Sequence, residues 1–329
     1  MKHFVFRFVL LVILFLSGIM AYNYHYDTSG LFNTDFSIYR VEPNQHFVKI
    51  RYLLENPEKY NAYCFGSSRV GKIDLTKTGS GYHYYNMTYS QGLPEEWLDD
   101  VQLFLAHHVK IRQIIIGIDD FSFKVDPKTH ESQYLRIPYH DNGNLKTYLS
   151  YLLKEPSLPI DPGEKGCIFD IYNTGRPLPG NADKKIELNV EKHINDEKFN
   201  KPCHYVGNRM CETIDSLQKL KNLCNENNIE LIVFINPIHK TTYLDNDLTQ
   251  FNEFKRQLSN VTDYYDFSGL NEITTSNYYY YETSHYRPLV GDMIIQRIFQ
   301  PEKGTTFGVY VTKENVEEYL RALENEVSQ

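Results

Sequence analysis

Two short blocks far apart in the chain hold the residue types that nucleophilic acyl chemistry needs. Tyr63-Cys64-Phe65-Gly66-Ser67-Ser68-Arg69-Val70 is an apolar run that breaks at a glycine and delivers two serines. A hydroxyl there sits on a rigid strand end, beside a turn that glycine sharpens and near backbone N–H groups an oxyanion can use. Tyr281-Glu282-Thr283-Ser284-His285-Tyr286-Arg287-Pro288 sets a carboxylate three residues ahead of a histidine. On one tight loop Glu282 can hold the Nδ1 side of His285, leaving Nε2 to take a proton from a serine. A Gly-Ser-Ser turn is ordinary by itself, and the chain has 12 histidines. The two blocks gain meaning from the elements that position them.

Residues 23–60 are polar and aromatic and read as a stalk and lead-in, with Asn56-Pro57 as a turn into a strand over 61–65. A second apolar stretch covers 82–87. Pro94, Glu95 and Glu96 open a helix carrying Trp97, Val101, Leu105 and His108 on one face, because proline and acids suit a first turn. Residues 111–118 read as a buried parallel strand. Residues 125–205 are less regular: a helix over 145–154 is followed by sequence rich in Pro, Gly and Asn, an insertion at one edge of the sheet. Met210, Ile214, Leu217, Leu220 and Cys224 then mark a helix, 229–235 a strand, Phe251, Phe254 and Leu258 another helix, 262–267 a strand and 289–299 a closing helix. A strand and helix extension occupies 301–329. This alternation predicts a three-layer, doubly wound α/β domain over 61–300 with a parallel sheet whose ligands gather at the C-terminal strand ends. Ser68 and the His285 loop then share one sheet face.

The N-terminus reads Met-Lys-His-Phe-Val-Phe-Arg and continues without a charge from Phe8 to Ala21. The apolar segment 4–22 is near spanning length if Arg7 reaches back toward headgroups, so a signal peptide or an uncleaved anchor fits. Ile19 stands where a cut after Ala21 would prefer a small residue, which favours the anchor. The basic residues on its N-terminal side place the bulk of the chain outside the cytoplasm. A net charge of -8 argues against nucleic acid as partner. The five cysteines form no CxxC pair and no metal-like spacing with histidine. Cys203 and Cys211 are near enough in sequence to bridge in an oxidising compartment, and Cys64 reads as simply buried. The 27 tyrosines suit either a sugar-binding groove or half-buried strands. Asn86-Met87-Thr88 and Asn260-Val261-Thr262 match the glycosylation triplet. Arg69 and Arg287, next to the two blocks, could bind an anionic substrate or pair with local acids such as Asp119 and Asp120.

With these residues in place, the chain resembles the SGNH/GDSL hydrolase superfamily, whose four short blocks occur in this order. Gly66-Ser67-Ser68 stands where that superfamily has Gly-Asp-Ser, and Glu282 to His285 where it has Asp-x-x-His. The resemblance implies a flavodoxin-like sheet, Ser68 as nucleophile, His285 as general base and then acid, and Glu282 as the group orienting it. It further implies an oxyanion hole from the Ser68 and Gly92 N–H groups with help from Asn86. Gly117-Ile118-Asp119-Asp120 departs from the third block, Gly-x-Asn-Asp: an ionised Asp119 there would repel the oxyanion, so either Asp119 is protonated or turned away or the hole relies on the other donors, each of which typically contributes about 3 kcal/mol. Membrane-anchored members that look similar include the D-alanyl transfer protein of teichoic acid synthesis and alginate O-acetylation proteins. That likeness implies acyl-ester chemistry on an envelope polysaccharide beside a multi-span membrane acyltransferase, with no metal or organic cofactor. The departure at Asp119 also leaves open a catalytically weak glycan-binding or scaffold protein on the same fold.

Overall fold

The run expected at 111–118 becomes a strand of six residues, all buried, and the rest of the sheet is assembled on its two sides. The computed structural model describes residues 1–33, 35, 43–129, 133–139, 145–156, 169–178 and 180–328. In chain order, helices α1 (Lys2–Tyr26) and α2 (Gln45–Glu55) precede strand β1 (Ala62–Phe65). Then come β2 (Tyr84–Asn86), α3 (Pro94–Ala106) and β3 (Gln113–Ile118). The insertion carries α4 (Gln133–Arg136), α5 (Leu145–Leu152), α6 (Ala182–Leu188) and α7 (Val190–Ile194). Helix α8 (Met210–Glu226), β4 (Glu230–Ile235), α9 (Lys240–Asp245), α10 (Leu248–Val261), β5 (Tyr264–Asp266) and α11 (Pro288–Phe299) follow, and β6 (Val309–Val311) and α12 (Val316–Ser328) close the chain. Strand order is β2-β1-β3-β4-β5-β6, parallel throughout except for β6, which pairs antiparallel with β5.

Because strand side chains alternate, the sheet feeds two cores. Tyr63, Phe65, Ile114, Ile116, Ile118 and Ile235 join Trp97, Val101, Leu217, Leu220 and Phe254 on one side. Cys64, Ile115, Phe234 and Phe267 join Val70, Ile73, Val290 and Ile294 on the other. Each buried isoleucine of β3 contributes about 1.5–3 kcal/mol relative to exposure, which anchors the strand whose end abuts the Ser68 turn.

Several expectations need correction. Part of the expected stalk and lead-in is helical and packed: α2 lies inside 23–60 and buries Phe47, Val48, Ile50, Tyr52 and Leu53. Asn44 caps it, its Oδ1 accepting the Phe47 N–H at 3.0 Å. Lys49 interrupts the apolar pattern yet is itself fully buried, donating to the Thr88 carbonyl, and burial pulls its pKa well below the usual lysine range. On α3 the inward face is Trp97, Leu98, Val101 and Phe104, while His108 lies past the helix end at φ 57 and is exposed. Cys203 and Cys211 are free rather than bridged, Cys211 pointing outward from the first turn of α8 and the Cys203 N–H held by Thr242 Oγ1 at 3.0 Å. Cys64 is buried, as expected. Cys167, Pro159, Pro162 and Pro179 lie outside the described residues. Ten of the described tyrosines are buried, and Tyr52, Tyr63, Tyr85, Tyr89, Tyr243 and Tyr286 are among the largest fully buried side chains.

Helix α1 is 25 residues long with mean hydropathy 2.6 in its most apolar window, long and apolar enough to cross a membrane. Every residue from Met1 to Gly18 is exposed.

Candidate active site

Gly66, just past β1, and Gly117, on the adjacent β3, explain how the Ser68 turn sits so low on the sheet. A Cβ on Gly66 would lie 2.5 Å from Val70 Cγ2, and one on Gly117 would lie 2.3 Å from the same atom. Val70 therefore drops into the space two missing side chains leave, and the short 3-10 turn Val70–Lys72 packs against Ile73 and α11. Ser68 is left half-buried at the C-terminal end of β1, between β2 and β3. That is where the chain reverses its direction of winding, the usual ligand position in an open parallel sheet.

Across from it, His285 presents Nε2 at 2.8 Å from Ser68 Oγ. Its Nδ1 lies 2.5 Å from Glu282 Oε1. A carboxylate only accepts, so Nδ1 carries the proton, Nε2 is the free acceptor, and the serine hydroxyl donates to it. Glu282 also accepts the Ser284 N–H at 2.6 Å and the His285 N–H at 3.0 Å. Burial alone would raise its pKa; the His285 ring and these two N–H groups outweigh that and hold the carboxyl below its ordinary range. The extra methylene of Glu is absorbed by this local wrap. Ser68, Glu282 and His285 share a cleft of about 1360 Å³ with Lys72, Arg176 and Tyr281.

Compared with models of known protein families and with characterised proteins, the chain matches none.

The remaining expected site residues are placed differently. Asp119 is fully buried and faces away from the cleft, its Oδ1 accepting from Arg69 Nη1 at 3.1 Å and from Asn236 Nδ2 at 3.0 Å. Burial raises its pKa against the opposing pull of Arg69. The Gly92 N–H is committed to the Tyr89 carbonyl at 3.3 Å, and a Cβ there would sit 2.8 Å from the Gly66 carbonyl oxygen. Gly92 is thus a close-packing glycine behind the turn, not an oxyanion donor. Asn86 is buried, with Oδ1 taking the Thr88 N–H and hydroxyl, and it lines a separate cavity of about 320 Å³ rather than the cleft. The same burial removes its glycosylation triplet from the surface, whereas Asn260 is exposed. Of the four expected oxyanion contributors, the Ser68 N–H alone remains, and it makes no hydrogen bond among the described residues.

Both arginines are paired with acids, and Arg287 also lines the cleft. Arg69 is fully buried, with Asp120 Oδ1 at 2.6 Å from Nη1 and Ser284 Oγ at 3.3 and 3.2 Å from Nε and Nη2. Arg287 is spent on the insertion helix α6, 2.7 Å from Asp183 and 2.5 Å from Glu187.

Asn236 and Tyr286 complete a frame that the motifs do not reveal. Tyr286 Oη donates to Asn236 Oδ1 at 2.9 Å, and Asn236 hands on to Asp119 and so to Arg69, Asp120 and Ser284. Arg69 follows Ser68, while Ser284 and Tyr286 flank His285. The buried network therefore ties the Ser68 turn to the His285 loop through the ends of β3 and β4. The one sequence signal for it was the pair of acids after β3, needing a buried cation that Arg69 supplies.

Proposed function

We propose that the protein is a serine-dependent acyl-ester hydrolase or O-acyltransferase of SGNH type, acting on a cell-envelope or extracellular polysaccharide. The observation that carries this reading is the unbroken Ser68–His285–Glu282 relay, 2.8 and 2.5 Å per link, at the switch point of the sheet. The order 2-1-3-4-5 of the parallel strands is that of flavodoxin-like doubly wound sheets, consistent with the three-layer SGNH fold. In this mechanism Ser68 Oγ attacks the acyl carbonyl as its proton passes to His285 Nε2. The tetrahedral oxyanion is met by the Ser68 N–H, and collapse expels the alcohol, which takes the proton back from His285. Water or a sugar hydroxyl, deprotonated by His285, then receives the acyl group and frees the serine. With Lys2 and Arg7 on the cytoplasmic side, α1 anchors a domain outside the cytoplasm, where an acylated glycan, a small acyl ester and a multi-span acyltransferase are the partners this reading calls for.

The test uses the full chain in detergent with an acyl fluorophosphonate probe and p-nitrophenyl acetate, comparing wild type with Ser68→Ala and His285→Ala. Labelling is expected in wild type alone, and equal labelling of Ser68→Ala removes the nucleophile assignment. The displaced Gly92, Asn86 and Asp119 favour a second reading, a weakly active or inactive glycan-binding scaffold. Glycan binding that survives Ser68→Ala, with no probe labelling of wild type, selects it.

A further inference from the structure

We infer that helix α5 is a second membrane contact, lying in the bilayer interface beside α1 and seating the catalytic domain against lipid. The inference rests on the reading that α1 sits in a bilayer. A 25-residue helix is about 37 Å long, against about 30 Å of hydrocarbon, so only its last turns reach the headgroups. Cover on α1 begins within its apolar run: Ile19, Met20 and Tyr22 are half-buried and Asn23 is buried, and α5 packs against this helix. Asn23 Nδ2 donates to the Leu152 carbonyl at 2.8 Å and the Lys154 carbonyl at 2.9 Å, fixing the end of α5 to the end of α1. An element packed on the last turns of a spanning helix shares its depth.

The outward face of α5 fits that depth. Leu145 and Leu149 of α5, and Leu153 just past its end with its N–H on the Leu149 carbonyl at 3.0 Å, follow at intervals of four on one stripe and are 72%, 38% and 46% exposed. A different face holds the domain: Tyr151 is buried, accepting from Asn44 Nδ2 at 2.7 Å and donating to the Tyr134 carbonyl at 2.9 Å, and Tyr148 packs on Phe47. In water, three open leucines on a short helix have no compensation; against acyl chains each gains burial. Asn44 caps α2, whose first residue Gln45 lines the cleft with Leu135 of α4. One wall of the cleft is thus a single layer of hydrogen bonds from the lipid-seated helix, and the Ser68 site is held at a fixed height above the membrane.

The experiment places an environment-sensitive fluorophore on single cysteines in the full chain, with Cys167, Cys203 and Cys211 replaced by serine, reconstituted in phosphatidylcholine/phosphatidylglycerol vesicles. Labels go to Leu149→Cys and, independently, Leu153→Cys, with Ile13→Cys in α1 as lipid control and the exposed Lys219→Cys on α8 as aqueous control. The α5 labels are expected to emit blue-shifted and to be quenched several-fold more by lipid carrying a shallow spin label than by iodide. If they behave as Lys219→Cys does while Ile13→Cys reports lipid, this proposal fails and the anchor reading stands. If Ile13→Cys is also aqueous, the anchor reading itself fails.

Discussion

Replacing Arg69 by methionine tests whether the buried frame, rather than Ser68 and His285 alone, holds the site together. Arg69 spans 3.1 Å to Asp119 and 2.6 Å to Asp120, with all three side chains at most 1% exposed. Removing one partner of a buried ion pair typically costs about 3–5 kcal/mol, because the other charge is left uncompensated. Protonation sets a ceiling. At pH 7, neutralising a carboxyl of ordinary pKa near 3.9 costs about 1.4 kcal/mol per unit over roughly three units, or about 4 kcal/mol each. At pH 5 the same ceiling is about 1.5 kcal/mol. The sign follows from Asp119, whose folded pKa is already raised: its contribution is present at low pH and lost as pH rises through that raised value. Losing Arg69 raises it further, so the deficit of Arg69→Met must shrink on acidification. The assay is thermal unfolding of the full chain in detergent, read by Trp97, the one tryptophan and fully buried. At about 2 °C per kcal/mol for a domain this large, the melting point should fall by about 6–10 °C at pH 7 and roughly half that at pH 5. The triple variant Arg69→Met/Asp119→Asn/Asp120→Asn should recover most of the loss. A fall under 2 °C at pH 7, or a deficit that widens at pH 5, refutes the reasoning.

Three further outcomes follow from the geometry. Glu282→Gln should lower kcat for ester turnover by about 10²- to 10³-fold with KM little changed, since the imidazole loses its tautomer and orientation but no substrate contact; steady-state kinetics check this. Gly117→Ala puts a Cβ 2.3 Å from Val70 Cγ2 and 2.7 Å from Phe234 Cζ, so overpacking should cost about 1–3 kcal/mol in melting experiments and slow probe labelling of Ser68. Adding Val70→Ala should restore part of both. His46 donates from Nδ1 to the Arg136 carbonyl at 3.1 Å and from Nε2 to Asp100 at 2.8 Å, which requires the doubly protonated ring. Burial alone would lower its pKa, but Asp100 and its other partners outweigh this and raise it above 6.5. The pair's stability is therefore full below that value and fades as pH rises through the raised one, so melting points should decline from neutral to alkaline pH and His46→Gln should flatten the decline.

The legible parts of this protein were those where one chemical pressure acts alone. The buried strands and the helix over 210–226 announce themselves because an unbroken apolar pattern has no competing reading. The Ser68 and His285 blocks were legible because a strand end and a late loop must meet once the alternation of elements is granted. What stayed hidden depended on compensation between distant residues. Residues 23–60 read as a stalk because they are polar and aromatic with little periodicity, and nothing local shows that Lys49 is buried with its amine satisfied by the Thr88 carbonyl. Asp119 read as a departure from the oxyanion block, and its partner lies 50 positions away in Arg69, which the sequence left either to an anionic substrate or to Asp119 and Asp120; the structure pairs it with both acids. The bonds from Arg69 to Asp119, Asp120 and Ser284 link the residues adjoining Ser68 and His285, so Asp119 belongs to the buried frame that holds those two side chains together.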